Sequence, residues 1–114
     1  MKNRKLLYKM LEYVDKIMGY IQNADYESFE NNKMMVEACV FNLSQIGELV
    51  NKFDTEFIST HADIPWNKIR GLRNRIIHDY EGINLKLIWE IITADLYKLK
   101  KQLIGLITDK ENNG

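Results

Sequence analysis

Apolar residues recur at the helical period along almost the whole of this sequence, which leaves it little to fold into except packed helices. Leu6, Leu7, Met10, Leu11, Val14, Ile17, Met18 and Ile21 stand at i, i+3, i+4, i+7 spacing and mark one amphipathic helix. Residues 25–32 are polar or aromatic, with Ser28, Asn31 and Asn32 as turn or N-cap candidates. A second helix is expected from about Lys33 to Lys52, apolar over a wide arc through Met34, Met35, Ala38, Phe41, Ile46 and Leu49. Such a helix should be central and buried on more than one side. Asp54 and Thr55 are placed to cap a short turn through Ser59. The single proline, Pro65, suits the first position of a third helix from Trp66 to about Ile77, because its missing N–H is unneeded there. Asp79-Tyr80-Glu81-Gly82 breaks the pattern, and a last long helix follows from about Asn84. It carries Ile88, Ile91, Ile92, Leu99, Leu103, Leu106 and Ile107 on its inner side.

No segment alternates at period two for long enough to make a strand, and no internal repeat is present. The expected fold is therefore all-α: an up-and-down four-helix bundle with one shorter member and short extra helical turns. At 114 residues the chain forms one domain, residues 1–114, with its core from about 5 to 107 and a tail at 109–114 that should fray.

Composition narrows the function classes by exclusion. The 16 basic and 16 acidic residues cancel, which argues against a non-specific nucleic-acid coat but leaves room for a locally basic cleft. One cysteine, Cys39, excludes an internal disulfide and an all-cysteine metal cluster; its apolar neighbours read as a buried thiol. Lys9, Glu12, Asp15 and Lys16 interrupt the start before any signal-like apolar run develops. No stretch is long and apolar enough to span a membrane, so a soluble, cytoplasmic protein is expected. His61 and Asp63 lack a third ligand at a metal-binding spacing, and no metal or cofactor is expected. The glycines at 19, 47, 71, 82 and 105 are isolated, so they build no phosphate-binding loop.

Residues 66–78 hold the local charge that the whole chain lacks. On a helical wheel at about 100° per residue, Ile69, Leu72 and Ile76 cluster toward the core. Asn67, Gly71, Asn74 and His78 fall on the opposite side, flanked by Arg70 and Arg73 on one edge and by Lys68 and Arg75 on the other. Gly71 weakens a helix by roughly 0.5–1 kcal/mol relative to alanine, so it calls for a close packing contact. A histidine ending a helix also serves as a simple cap, and outer-face arginines also serve as solubilising groups. Histidine, arginine and tyrosine within eight residues are nonetheless suitable parts for metal-free phosphodiester cleavage.

The run Arg73-Asn74-Arg75-Ile76-Ile77-His78-Asp79-Tyr80 resembles the Arg-x4-His-x-Tyr signature of HepT toxins in the HEPN superfamily. Its surroundings are similar too: Ile46-Gly47-Glu48 in the second helix, Pro65-Trp66 before the motif and Trp89-Glu90-Ile91-Ile92 after it. The resemblance extends from Lys5 to about Ile107 and implies a metal-independent endoribonuclease with its cleft across a homodimer. It implies Arg73 and His78 as catalytic residues, Asn74 and Tyr80 in support, and Lys68, Arg70 and Arg75 against RNA. Tyr80 resembles the position to which a companion nucleotidyltransferase antitoxin, MntA, attaches AMP. Glu48 is either a buried partner for one of the arginines or a solvent-facing carboxylate. The alternative within the same resemblance is a non-catalytic HEPN module that binds nucleotide or RNA beside a nucleotidyltransferase. A plain structural dimer is the third reading.

Overall fold

A computed structural model describes residues 2–72, 74 and 84–113 of the chain, with side chains described through Asp109. The described residues are helical and contain no strand. Helix α1 spans Lys2–Tyr20, α2 Tyr26–Glu30, α3 Lys33–Val50, α4 Thr55–Thr60 and α5 Trp66–Arg70. After a turn at Gly71 the backbone is helical again at Leu72 and Asn74. The last long helix runs as α6 (Leu85–Glu90), a π-helical turn at Ile91–Asp95 and α7 (Leu96–Asn113). Its helical backbone thus enters the stretch expected to fray. The bundle expected from the periodicity is what forms.

Each element has a local cause. In α1, Leu7, Met10, Val14 and Ile17 are fully buried, and Leu6, Leu11 and Met18 pack at the edge of the same stripe. Asp25 caps α2 by accepting from the Ser28 amide at 2.8 Å, while the Ser28 hydroxyl accepts from the Asp25 amide at 3.0 Å. Hydrogen bonding of the carboxylate to the Ser28 amide, and then to the Ser28 side chain, holds the Asp25 carboxyl below its ordinary pKa. Asn32 starts α3, its side chain accepting from the Met35 amide at 3.0 Å. Ser28 and Asn32 thus both act at helix starts, within the segment expected to turn.

Two of the expected helix starts need correction. Pro65 is the residue before α5 rather than its first member; its ψ of 68° is non-helical, and the helix begins at Trp66. Asp54 stands at the N-cap position of α4 but makes no capping bond. Its carboxylate is engaged elsewhere, accepting from Lys2 Nζ at 3.2 Å and Asn3 Nδ2 at 3.1 Å. These contacts hold its pKa below the usual value and fasten the start of α1 to the end of α3, so the two helices run antiparallel.

The bundle is organised around α3, which packs on α1, α2 and α5. Val36, Cys39, Val40, Leu43, Ile46, Leu49 and Val50 enter the core. The arc is offset from the one expected: Met34 is 81% exposed and Phe41 60%, because both point directly away from the bundle. Asn42 is buried in their place, and its amide is satisfied by the Ala38 carbonyl at 2.8 Å. The long C-terminal helix packs on α1, where Lys100 pairs with Asp15 at 2.8 Å.

Leu43 lies fully buried in the centre of α3, so Leu43→Ala should destabilise the fold by about 2–5 kcal/mol. Urea unfolding followed by circular dichroism checks this. A change under about 0.5 kcal/mol, the usual range for surface sites, would remove α3 from its central place.

Candidate functional site

Two tryptophans frame the segment singled out by its charge. On its N-terminal side Trp66 is buried among Phe53, Phe57 and Ile64, and its indole N–H donates to the His61 carbonyl at 2.9 Å. The bond satisfies the one polar atom that would otherwise be stranded in the core. On the C-terminal side Asn84 caps α6 by accepting from the Leu87 amide at 3.1 Å. Trp89, one turn further on, packs against Phe29 at 5.2 Å between ring centroids and against Tyr26 at 6.3 Å. Lys86 lies over the Tyr26 ring at 5.3 Å. Each tryptophan therefore packs against a separate aromatic group on its own side of the segment.

Between the anchors, the described residues follow the wheel. Ile69 and Leu72 are buried, whereas Asn67, Lys68, Arg70 and Asn74 are exposed and Gly71 is half-buried. Arg70 donates to the Asn67 side chain at 3.1 Å, which holds its guanidinium along the helix surface. Lys68, Arg70 and Asn74 thus share one solvent-facing helical segment. Arg73, Arg75, Ile76, His78 and Tyr80 lie outside the described residues. The helix expected to run unbroken to Ile77 has its first interruption at Gly71, whose backbone stays in the right-handed region at φ −75°, ψ −10°.

Beside this segment opens a groove of about 290 Å³ that the sequence reading did not anticipate. One wall is Pro65, Lys68, Ile69 and Leu72; the other is Ile91, Asp95, Leu96, Leu99 and their neighbours Lys98 and Gln102. Gln102 closes one end by donating to the Asp63 carbonyl at 2.9 Å. Period counting treats residues 84–107 as one regular helix, so it carries no signal of the π turn that brings Ile91 and Asp95 into the wall.

The other candidates resolve simply. Cys39 is fully buried, and burial pushes its thiol up to about 11, so it is no nucleophile. His61 ends α4 and packs on the Phe57 ring at 4.4 Å. Among the described residues no group of three His, Cys, Asp or Glu side chains could hold a metal ion. Glu48 is half-buried on α3. No helix among the described residues is long and apolar enough to cross a membrane.

The all-helical bundle is consistent with a HEPN-type domain. The match to known proteins is specific: residues 10–105 fit the ribonuclease HepT-like family, and the chain belongs to it. A protein of Methanocaldococcus jannaschii, named as a candidate RNase, is 34% identical over 108 residues, 95% of this chain and 89% of its own length. Another from the same organism, also named as a candidate RNase, is 35% identical over 100 residues, 88% of this chain and 92% of its own. A protein of Thermococcus cleftensis, named as a candidate ribonuclease HepT, is 26% identical over 98 residues, 86% of this chain and 89% of its own. No solved structure matches the chain at a significant level.

Proposed function

We propose that this protein is a metal-independent endoribonuclease toxin of a toxin–antitoxin pair, acting as a homodimer in the cytoplasm. The observation that carries the reading is the Arg73-x4-His78-x-Tyr80 motif, in a chain of the HepT-like family, on the segment that α5 leads into. The exposed Lys68, Arg70 and Asn74 support it, since the approach to the motif is cationic and open to a polyanion. In the proposed mechanism His78 takes the proton from an RNA 2′-hydroxyl, whose oxygen attacks the adjacent phosphorus. The 5′-oxygen leaves and takes up a proton to become a 5′-hydroxyl, and the other strand end is a 2′,3′-cyclic phosphate. Arg73 stabilises the charge that builds on the phosphoryl oxygens, Asn74 orients the imidazole or the phosphate, and Arg75 holds the flanking backbone. A histidine and an arginine five residues apart do not stack on one helix face. Two copies related by a two-fold axis would bring both sets to one phosphate.

His78→Ala and Arg73→Ala should each lower RNA cleavage by roughly 10²-fold or more, with chelator leaving the wild-type rate unchanged. A substrate with a single 2′-deoxyribose at the cleaved position should resist. Cleavage of that substrate at the ordinary rate, or full activity in His78→Ala, would overturn the mechanism.

Support for a close contact between copies at Gly71 comes from the protomer itself. Among the described residues a Cβ there would meet carbonyls of its own turn, Asn67 at 3.4 Å and Lys68 at 3.6 Å, at ordinary contact distance. The outward Met34 and Phe41 on the neighbouring α3 leave further apolar area for a partner copy. Gly71→Leu should leave the fold intact and weaken association, overpacking at such a contact costing ~1–3 kcal/mol. Light scattering reads the result, and a wild-type protein that is monomeric at micromolar concentration refutes the dimer.

Tyr80 is the proposed off-switch: a nucleotidyltransferase antitoxin of the MntA kind would join its phenolic oxygen to the α-phosphorus of ATP and release pyrophosphate. The added negative charge would then repel RNA beside His78. Mass spectrometry after incubation with such an enzyme and ATP should place AMP on Tyr80. An adduct on Tyr97 or Tyr26 with activity still lost would refute the assignment.

A further inference from the structure

The two helices that face each other across the groove bring like charge together. From Ile64 to Leu72 the chain has Lys68 and Arg70 and no acidic residue; from Leu96 to Thr108 it has Lys98, Lys100 and Lys101 and again none. Lys68 and Lys98 line the groove from its two walls, and Lys68, Arg70, Lys98 and Lys101 are all exposed. In a chain whose 16 basic and 16 acidic residues cancel, folding has joined two distant basic stretches into one strip. We propose that this strip is a track for single-stranded RNA, with Lys98 and Lys101 on its phosphates and Tyr97 as a platform on which a base stacks. The proposal rests on the ribonuclease reading for where the strand leads, since Lys68 and Arg70 stand in the segment that runs into Arg73; binding to the strip is tested by itself.

Tyr97 decides the kind of polyanion. Its ring is 56% exposed in the first turn of α7, and Lys101 holds its ammonium 4.7 Å from the ring centroid. A free ring beside an ammonium meets the two parts that alternate along a nucleic-acid strand, the flat base and the charged phosphate. Bases within a duplex are stacked on one another and offer no free face, so the strand is single. An acidic protein surface would use the lysines and have no need of the ring.

The helix geometry suits one strand. At about 100° per residue, Tyr97, Lys98 and Lys101 fall within roughly one third of the circumference of α7, so they share one outward face. Lys100 points elsewhere and pairs with Asp15 of α1 at 2.8 Å. Asp63 and Asp95 also line the groove, which makes the groove itself mixed in charge; the phosphate contacts therefore belong to the lysines on the outer face of α7.

A single-stranded oligoribonucleotide with 2′-O-methyl groups throughout lacks the proposed nucleophile and stays uncut, so fluorescence anisotropy with the full chain reads binding alone. Lys98→Gln/Lys101→Gln should weaken binding and lower the slope of log affinity against log salt by about 0.7 for each lysine removed. Lys5→Gln/Lys9→Gln, an equal loss of charge on exposed residues of α1 outside the groove, should leave the slope unchanged. Tyr97→Ala should weaken binding roughly fivefold or more with the slope unchanged, and Tyr97→Phe, which keeps the ring, should bind as the wild type does. No binding by the wild type, or an equal change of slope in the α1 variant, would overturn the track. A loss in Tyr97→Phe as large as in Tyr97→Ala, or none in either, would overturn the stacking platform and leave an acidic surface as the better partner. Cleavage separates the track from the ribonuclease reading. On a long RNA, Lys98→Gln/Lys101→Gln should raise KM several-fold with kcat unchanged, while a dinucleotide too short to reach the strip is cut as by the wild type. Unaltered KM on long RNA, with unaltered oligonucleotide binding, removes the track and leaves the ribonuclease. Binding that follows the expected pattern with no cleavage of any RNA removes the ribonuclease and leaves the track.

Discussion

Burial of one half of α3 is the constraint on which the rest of the structure depends. Its core residues from Val36 to Val50 sweep about half of the helix circumference, too wide a face for one neighbour to cover. Three helices, α1, α2 and α5, accordingly pack on it. Gly47 and Asn42 are buried on this face as well, the asparagine folding its amide back onto its own backbone. A polar side chain in the core is tolerated because its donor is satisfied locally. The same geometry sends Met34 and Phe41 outward, so the apolar surface left uncovered in the protomer follows directly from how α3 is oriented.

The site region inherits its position from that packing. Buried Ile69 and Trp66 dock α5 onto the bundle, which leaves Lys68 and Arg70 no direction but outward. Where the chain returns, Trp89 is clasped by Phe29 and Tyr26 of the short α2. The small helix between α1 and α3 thus has a structural task far from it in sequence: it holds the start of the last long helix.

Much of this was legible in the periodicity, and for a physical reason. Amphipathic helices declare their inner face at every third or fourth residue, so the stripe of Leu7, Met10, Val14 and Ile17 and that of Ile88, Ile92, Leu99 and Leu103 could be read without a neighbour in view. Ile69 and Leu72 inward, with Lys68, Arg70 and Asn74 outward, follow from the same counting. The run Arg73, His78 and Tyr80 is read from residue type and spacing alone and lies outside the described residues. Three features were not legible. Met34 and Phe41 are apolar and were placed inside, although hydrophobic character alone does not say which part of a wide arc the neighbours cover. Asp54 has the residue type of a helix cap, but Lys2 and Asn3, some fifty residues away, compete for its carboxylate. The π turn at Ile91–Asp95 changes the register by a single residue, less than period counting resolves.

What the sequence determined by itself is therefore everything encoded within a few turns of one helix: the all-α class, the inner faces, the family and the motif. Tertiary structure alone decided what depends on distant segments meeting. It set which side of α3 stays uncovered, which partner holds Asp54, and how α5 and the last helix leave a groove between them. The physical reason is range. Helical hydrogen bonds and side-chain stripes repeat every 3–4 residues and can be counted along the chain. A groove is space left between two surfaces, and its size and rim are fixed only when both surfaces are docked.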